Sequence, residues 1–212
     1  MPRNAPRGWH GLRAGVVSLY LVALLTGCAG DTVSLPPLAD DAVLLAFGDS
    51  LTRGTGAPRG AGYPEVLASL IGREVVNAGV PGELSAGGRA RLARVLDRVA
   101  PALLILCHGG NDLLRRHSTA AAHDNLVAMI ALARERAVPV LLLGVPAPGL
   151  LLATADLYHE VARATATPLE DGAVAEVLGK AAWKADPVHP NAAGYRVIAE
   201  RVRDALVAHG AL

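Results

Sequence analysis

Aromatic residues are scarce in this chain, at 3% of the sequence, and beyond residue 27 the only tryptophan is Trp183. That leaves little material for a surface that stacks sugars or bases. There are two cysteines, Cys28 and Cys107, too few for a disulfide framework. Cys107 ends the apolar run Ala102–Cys107, where a thiol behaves as a small buried hydrophobe. Charge of one sign is also lacking. The formal net charge is +1, no dense basic patch occurs, and basic residues are not interleaved with aromatic ones, so nothing favours nucleic-acid binding. The longest apolar stretch near the start, Val16–Leu25, is too short to span a bilayer as a permanent helix. Phosphate-loop, dinucleotide and H-E-x-x-H patterns are missing, and G-x-S-x-G fails because position 52 is Thr. There are no internal repeats.

Apolar residues are plentiful, at 52% against 18% charged, which excludes a disordered chain. The 212 residues suit one domain with room for a core and a cleft. The first 27 residues carry Arg3, Arg7 and Arg13 and no acid, then the apolar run, then Leu25-Thr26-Gly27-Cys28. A charged start, a short apolar core and small residues at the cut describe a signal peptide. The last four residues resemble the lipobox of bacterial lipoproteins. That resemblance implies cleavage before Cys28, lipid on its thiol, and a periplasm-facing protein anchored in a membrane. Ala29 in place of Asp favours the outer membrane in a Gram-negative cell. The alternative is an ordinary secretory signal ending near a cysteine. With Cys28 acylated, Cys107 has no partner for a disulfide. Without residues 1–27 the chain has 17 basic and 19 acidic residues, close to neutral. The expected division is a signal peptide at 1–27, a lipid-anchored tether at 28–40, which holds Pro, Gly and Asp without periodicity, and one domain at 41–212.

Within that domain short apolar runs alternate with helical patterns. Strands are expected at Ala42–Phe47, Glu74–Asn77, Ala102–Cys107, Val138–Val145 and Pro168–Glu170. Helices are expected at Tyr63–Ile71, Ser85–Val99, Thr119–Arg136, Ala153–Thr165, around Ala173–Ala182, and at Ala192–Ala208 with Asn191 as its cap. Such alternation predicts an α/β fold: a three-layer α/β/α sandwich with a mostly parallel sheet of about five strands. In such sheets ligands bind beyond the carboxyl ends of the strands.

Four polar or glycine-rich clusters fall on that edge: Gly48-Asp49-Ser50-Leu51-Thr52, Asn77 to Gly82, Gly109-Gly110-Asn111-Asp112, and Asp186-Pro187-Val188-His189-Pro190-Asn191. Acyl transfer needs a nucleophile, a base, a group orienting the base, and donors for an oxyanion. Ser50 stands where a strand ends and a helix begins. His189 can accept its proton at neutral pH. Asp186, three residues earlier, can fix the imidazole tautomer. Gly82 lets the backbone approach a ligand, and Asn111 supplies an amide donor.

GDSLT, the glycine of VPGELS, GGND and DPVHPN are similar, in that order, to the four blocks of the SGNH (GDSL-type) hydrolases. The subgroup resembled is the thioesterase I/lysophospholipase L1/arylesterase type, and the resemblance covers about residues 42–208. It implies a flavodoxin-like sheet, Ser50 as nucleophile, and an oxyanion hole from the Ser50 and Gly82 N–H groups and the Asn111 amide. It also implies His189 as base then acid, with Asp186 as its partner. His108 before GGND and Pro187 inside the Asp–His loop depart from the usual pattern. Neither a metal nor an organic cofactor is required. The segment Val145–Leu152 predicts an apolar wall beside the cleft, with Leu150 and Leu151 lining a pocket for a short or medium acyl chain; the plainer reading is that they dock the next helix. Trp183 either lines the cleft or only packs. The expected substrate is a small acyl ester or thioester, and the expected molecule is a monomer held to a membrane by its N-terminal lipid. Two alternatives are a carbohydrate O-acetylesterase of the same fold and a non-catalytic envelope lipoprotein.

Overall fold

The computed structural model describes Met1, residues 33–149 and residues 152–212. Cys28, with residues 2–27 of the expected leader and the first five residues of the tether, and the pocket candidates Leu150 and Leu151 lie outside the described residues.

Five parallel strands form one sheet in the order β2-β1-β3-β4-β5. The strands are β1 (Leu44–Gly48), β2 (Val75–Gly79), β3 (Leu103–Cys107), β4 (Val140–Leu143) and β5 (Leu169–Glu170). Every residue of β1, β3 and β4 is buried, as expected of strands covered on both faces. The register pairs Gly48 with both Gly79 and Cys107, so β1, β2 and β3 end level with one another.

The helices are α1 (Ser50–Arg53), α2 (Tyr63–Ile71), α3 (Ser85–Val99), α4 (Gly110–Leu114), α5 (Thr119–Arg134), α6 (Asp156–Thr165), α7 (Ala173–Gly179) and α8 (Ala192–Ala208). A single 3-10 turn, Ala181–Trp183, follows α7. The chain steps outward from β1 to β2 and then back past β1 to β3. With right-handed crossovers this reversal sends α2 to one face and α3 to the other. The packing agrees: α2 and α7 contact α8, whereas α3, α5 and α6 pack in series. In α5 the residues Leu126, Met129, Ile130 and Ala133, at helical spacing, are wholly buried. The architecture is the expected α/β/α sandwich. The reversal between β1 and β3 opens a crevice at the carboxyl ends of those strands, the switch point of a doubly wound sheet.

The start of the domain lies earlier than Asp41. The N–H groups of Leu35 and Leu38 donate to the carbonyls of His209 (2.8 Å) and Ala211 (2.9 Å) beyond α8, and Leu35 is buried. Arg73 donates to the carbonyls of Leu38 (3.2 Å) and Ala39 (2.8 Å). Residues 33–39 are thus fastened to the domain, because two leucines flanking Pro36-Pro37 find an apolar seat and their N–H groups find acceptors.

Candidate active site

The site is built where β1, β2 and β3 end. At Gly48 a Cβ would collide with the carbonyl of Cys107 and the hydroxyl of Thr52, so the chain can turn out of the sheet there only without a side chain. Asp49 caps α1, its Oδ1 accepting the Leu51 N–H at 3.0 Å, and this puts Ser50 on the first residue of the helix. The Ser50 Oγ lies 3.0 Å from Nε2 of His189. Nδ1 of His189 lies 2.8 Å from Oδ2 of Asp186. The other Asp186 oxygen, Oδ1, accepts the N–H groups of Val188 and His189, both at 2.9 Å. That short Asx turn is why three residues suffice to bring the carboxylate to the ring. Slight burial opposes ionisation of Asp186, but the two N–H donors and the imidazole hold its carboxyl below the usual range.

The loop carrying His189 is fixed at both ends. Lys184 and Pro190 form an isolated bridge, and Ala185 N–H donates to the His189 carbonyl at 2.9 Å. Asn191 caps α8 through the Gly194 N–H (3.1 Å) while its amide binds the carbonyls of Ala182 (2.9 Å) and Lys184 (3.3 Å). From the other side Gly56, with φ +96°, leaves room for the loop.

Gly82, with φ +75°, lies in the left-handed region, which suits glycine, and its N–H stays with that of Ser50 outside every hydrogen bond among the described residues. Nδ2 of Asn111, on α4, donates to Asp49 Oδ2 at 3.0 Å and to the Glu83 carbonyl at 3.2 Å. An oxyanion bound there would share one of these hydrogens. Asp49 is 2% exposed, and burial raises its carboxyl above the usual range despite the donors around it. Asp49 itself is a site residue that sequence reasoning passed over; the signal was present as the acid immediately before Ser50.

Ser50, Gly82, Asn111 and His189 line one cavity of about 210 Å³. Its apolar walls are Leu114, Val145, Pro146, Leu178 and Val188. Sequence reasoning anticipated the wall after β4 but missed Leu178, which projects from α7 with no polar neighbour to mark it. Trp183 is not among the lining residues of this cavity: its ring stacks under the Lys180 ammonium at 3.9 Å and packs against the core, the second of the two readings left open for it. Cys107 is fully buried, and burial pushes its thiol far above the ordinary value, so it stays protonated and inert.

A serine hydroxyl, an imidazole and a carboxylate in line, at the carboxyl edge of a doubly wound sheet, are the geometry of a serine acyl hydrolase. The chain belongs to the GDSL-like lipase/acylhydrolase family, whose model matches residues 46–197. It is similar to esterase TesA of Pseudomonas aeruginosa, with 34% identity over 84% of this chain and 94% of that protein. It is also similar to an arylesterase of Vibrio mimicus, with 29% identity over 78% of this chain and 88% of that one. Among solved structures, TesA superposes with a TM-score of 0.70 at 32% identity, covering 77% of this chain and 97% of TesA. AlinE4, an SGNH-hydrolase family esterase, does so with a TM-score of 0.61 at 32% identity, covering 81% of this chain and 97% of its own. The fold is that of the SGNH hydrolases.

Proposed function

We propose that the protein hydrolyses small carboxylic esters or thioesters through an acyl-enzyme on Ser50. The observation that carries this reading is the continuous line from Ser50 Oγ through His189 to Asp186, at 3.0 and 2.8 Å, opening into an apolar cavity. Ser50 Oγ attacks the carbonyl carbon as Nε2 of His189 takes its proton. The oxyanion that forms receives the N–H groups of Ser50 and Gly82 and a hydrogen of the Asn111 amide, donors in place before reaction. Collapse of the tetrahedral adduct breaks the bond to the alcohol or thiol, which leaves with the proton from His189. Water then attacks the acyl-serine, giving its proton to His189, and the released Ser50 Oγ takes that proton back. Asp186 keeps the proton of His189 on Nδ1, so that Nε2 is free to accept.

The cavity, about 210 Å³, is smaller than the about 300–1,000 Å³ common for ligand pockets, and its walls are aliphatic. This favours short acyl chains. The names of the relatives, esterase TesA, arylesterase and thioesterase 1/protease 1/lysophospholipase L1, point to the same substrate class. Hydrolysis of p-nitrophenyl esters of increasing chain length, set against acetylated glycans, tests the reading. Turnover of the short aryl esters, lost in Ser50→Ala, is expected; turnover of the glycans alone overturns it.

The same proposal includes export. The Leu25-Thr26-Gly27-Cys28 sequence supports cleavage before Cys28, lipid attachment to its thiol, and a membrane-anchored protein facing the periplasm. Metabolic labelling with a palmitate analogue tests it: label on the wild type and none on Cys28→Ala is expected, and an unlabelled wild type contradicts it.

A further inference from the structure

Beneath the proposed oxyanion hole lies a cluster of charged and polar side chains that the reaction scheme does not use. Glu83 follows Gly82 directly. Its carboxylate turns away from the cleft and accepts three hydrogen bonds from Arg91 of α3, at 2.7–2.9 Å. Oε2 of Glu83 also pairs with Nε2 of His108 at 3.1 Å. The Gly109 N–H donates to Nδ1 of His108 at 3.2 Å, so the ring proton sits on Nε2 and is donated to Glu83. The side chains of His108, Glu83 and Arg91 are 0%, 13% and 16% exposed. Burial works against the Glu83 charge, but Arg91 and His108 outweigh it and hold the carboxyl below its usual range.

The cluster touches each strand end that carries a donor. Nη2 of Arg91 donates to the carbonyl of Gly48 (3.1 Å), the last residue of β1 and two before Ser50. It donates also to the carbonyl of Ala78 (2.9 Å) in β2, at the root of the loop that holds Gly82. His108 leaves β3 directly, and its carbonyl accepts the Tyr158 hydroxyl at 2.8 Å. The Glu83 carbonyl receives Nδ2 of Asn111 at 3.2 Å. The guanidinium of Arg91 lies 3.9 Å over the Phe47 ring, which fixes its plane. Space for the imidazole is reserved at Gly88 on α3, where a Cβ would collide with the His108 ring.

We propose that Glu83, Arg91 and His108 are positioning residues that set the mutual distances of the Ser50, Gly82 and Asn111 donors. The proposal rests on the oxyanion-hole reading given above. Each of the three donor segments bonds to the cluster, and the cluster is buried, so it acts as a rigid base whose loss lets the donors drift apart. A donor misplaced by about 1 Å costs about 10²-fold in rate. The loss falls on kcat because the charge exists only after the substrate is bound.

The test compares His108→Leu, His108→Gln, Gly88→Ala and Asn111→Ala by steady-state hydrolysis of a short p-nitrophenyl ester, per folded molecule by circular dichroism. His108→Leu removes the donor to Glu83, and Gly88→Ala displaces the ring without touching the cleft. Both are expected to lower kcat about 10- to 10²-fold with KM unchanged. His108→Gln, which keeps a donor at similar reach, is expected to recover most of that loss. In an Asn111→Ala background the His108→Leu change is expected to cost less than in the wild type, since one of the three donors it positions is gone. Should His108→Leu fail to fold, Gly88→Ala and its double variant with Asn111→Ala give the same reading. Wild-type kcat in Gly88→Ala and His108→Leu, beside a deficient Asn111→Ala, overturns the positioning role and leaves the hole standing. Wild-type kcat in Asn111→Ala overturns both.

Discussion

Replacing Asp186 by Asn and by Ala separates two jobs that one carboxylate performs. Oδ2 faces the imidazole at 2.8 Å, and Oδ1 holds the N–H groups of Val188 and His189. In Asp186→Asn the amide oxygen can keep both backbone bonds, so the loop retains its shape. The amide nitrogen then faces Nδ1 of His189 and donates to it. The ring proton moves to Nε2, and the base that must receive the Ser50 proton is already protonated there. In the serine-protease template that wrong tautomer costs about 10⁴ in kcat. In Asp186→Ala the loop loses the one acceptor of two backbone hydrogen bonds, but water can enter beside Nδ1, because the Asp186 side chain is 44% exposed. What remains lost is the attraction between carboxylate and imidazolium. At about 4 Å between charge centres this is about 4 kcal/mol in a partly shielded site and about 1 kcal/mol in water. With the imidazole 20% exposed, an intermediate loss of about 2–3 kcal/mol, or roughly 30- to 150-fold, is expected. The two variants should therefore rank oppositely: Asp186→Asn the slower enzyme and the more stable fold, Asp186→Ala the faster enzyme and the less stable fold. Steady-state kinetics on a short p-nitrophenyl ester and thermal melting measure both orders. Asp186→Ala at or below the kcat of Asp186→Asn, with both folded, refutes the tautomer argument.

Gly56→Ala places a Cβ 2.5 Å from the Pro190 carbonyl and 3.2 Å from the His189 Cβ, at a φ of +96°. It should push the histidine loop from Ser50 and lower kcat about 10²-fold, and normal kcat contradicts the close seating of that loop. Leu178→Trp enlarges a cavity wall, so kcat/KM across p-nitrophenyl esters should shift to the shortest chains; an unchanged profile shows that α7 does not bound the acyl site. Glu170 is 8% exposed, and burial raises its carboxyl to about 7 from an ordinary 4.5, only partly offset by the Ala173 N–H. The folded protein therefore holds that proton more tightly than the unfolded chain. The resulting stability is full below about pH 4.5 and is lost as pH rises through about 7, at most about 3 kcal/mol. Glu170→Gln should flatten the fall of Tm between pH 5 and 8, and an equally steep fall in the variant would contradict the assignment.

Much of this molecule was legible before its structure, and the parts that were not share a physical cause. The buried strands β1, β3 and β4 declare themselves as unbroken apolar runs, and α5 and α8 as apolar stripes at helical spacing. Three of the four clusters had to converge once the sheet was parallel, since β1, β2 and β3 end in level register; the fourth is carried by the loop before α8. The short helix α4 was hidden, because Gly109 and Gly110 have little helix propensity and the turn is set by the left-handed Gly109. Residues 33–39 read as tether, because Leu35 and Leu38 show no period and find their partners some 170 residues away, at His209 and Ala211. Trp183 lies close to Asp186 in sequence, which left open whether it lines the cleft or only packs; at the end of the 3-10 turn its ring sits against Lys180. The cluster of Glu83, Arg91 and His108 could not be read from spacing, because its members come from a loop, a helix and a strand end.

The central chemical claim is that the acyl group is carried on the hydroxyl of Ser50. Treatment with a p-nitrophenyl alkylphosphonate, followed by peptide mass spectrometry, reads it directly. One adduct per molecule is expected, on the hydroxyl of Ser50, appearing as esterase activity disappears and absent from Ser50→Ala. Full loss of activity with the adduct on another residue, or turnover that survives complete modification of Ser50, contradicts it.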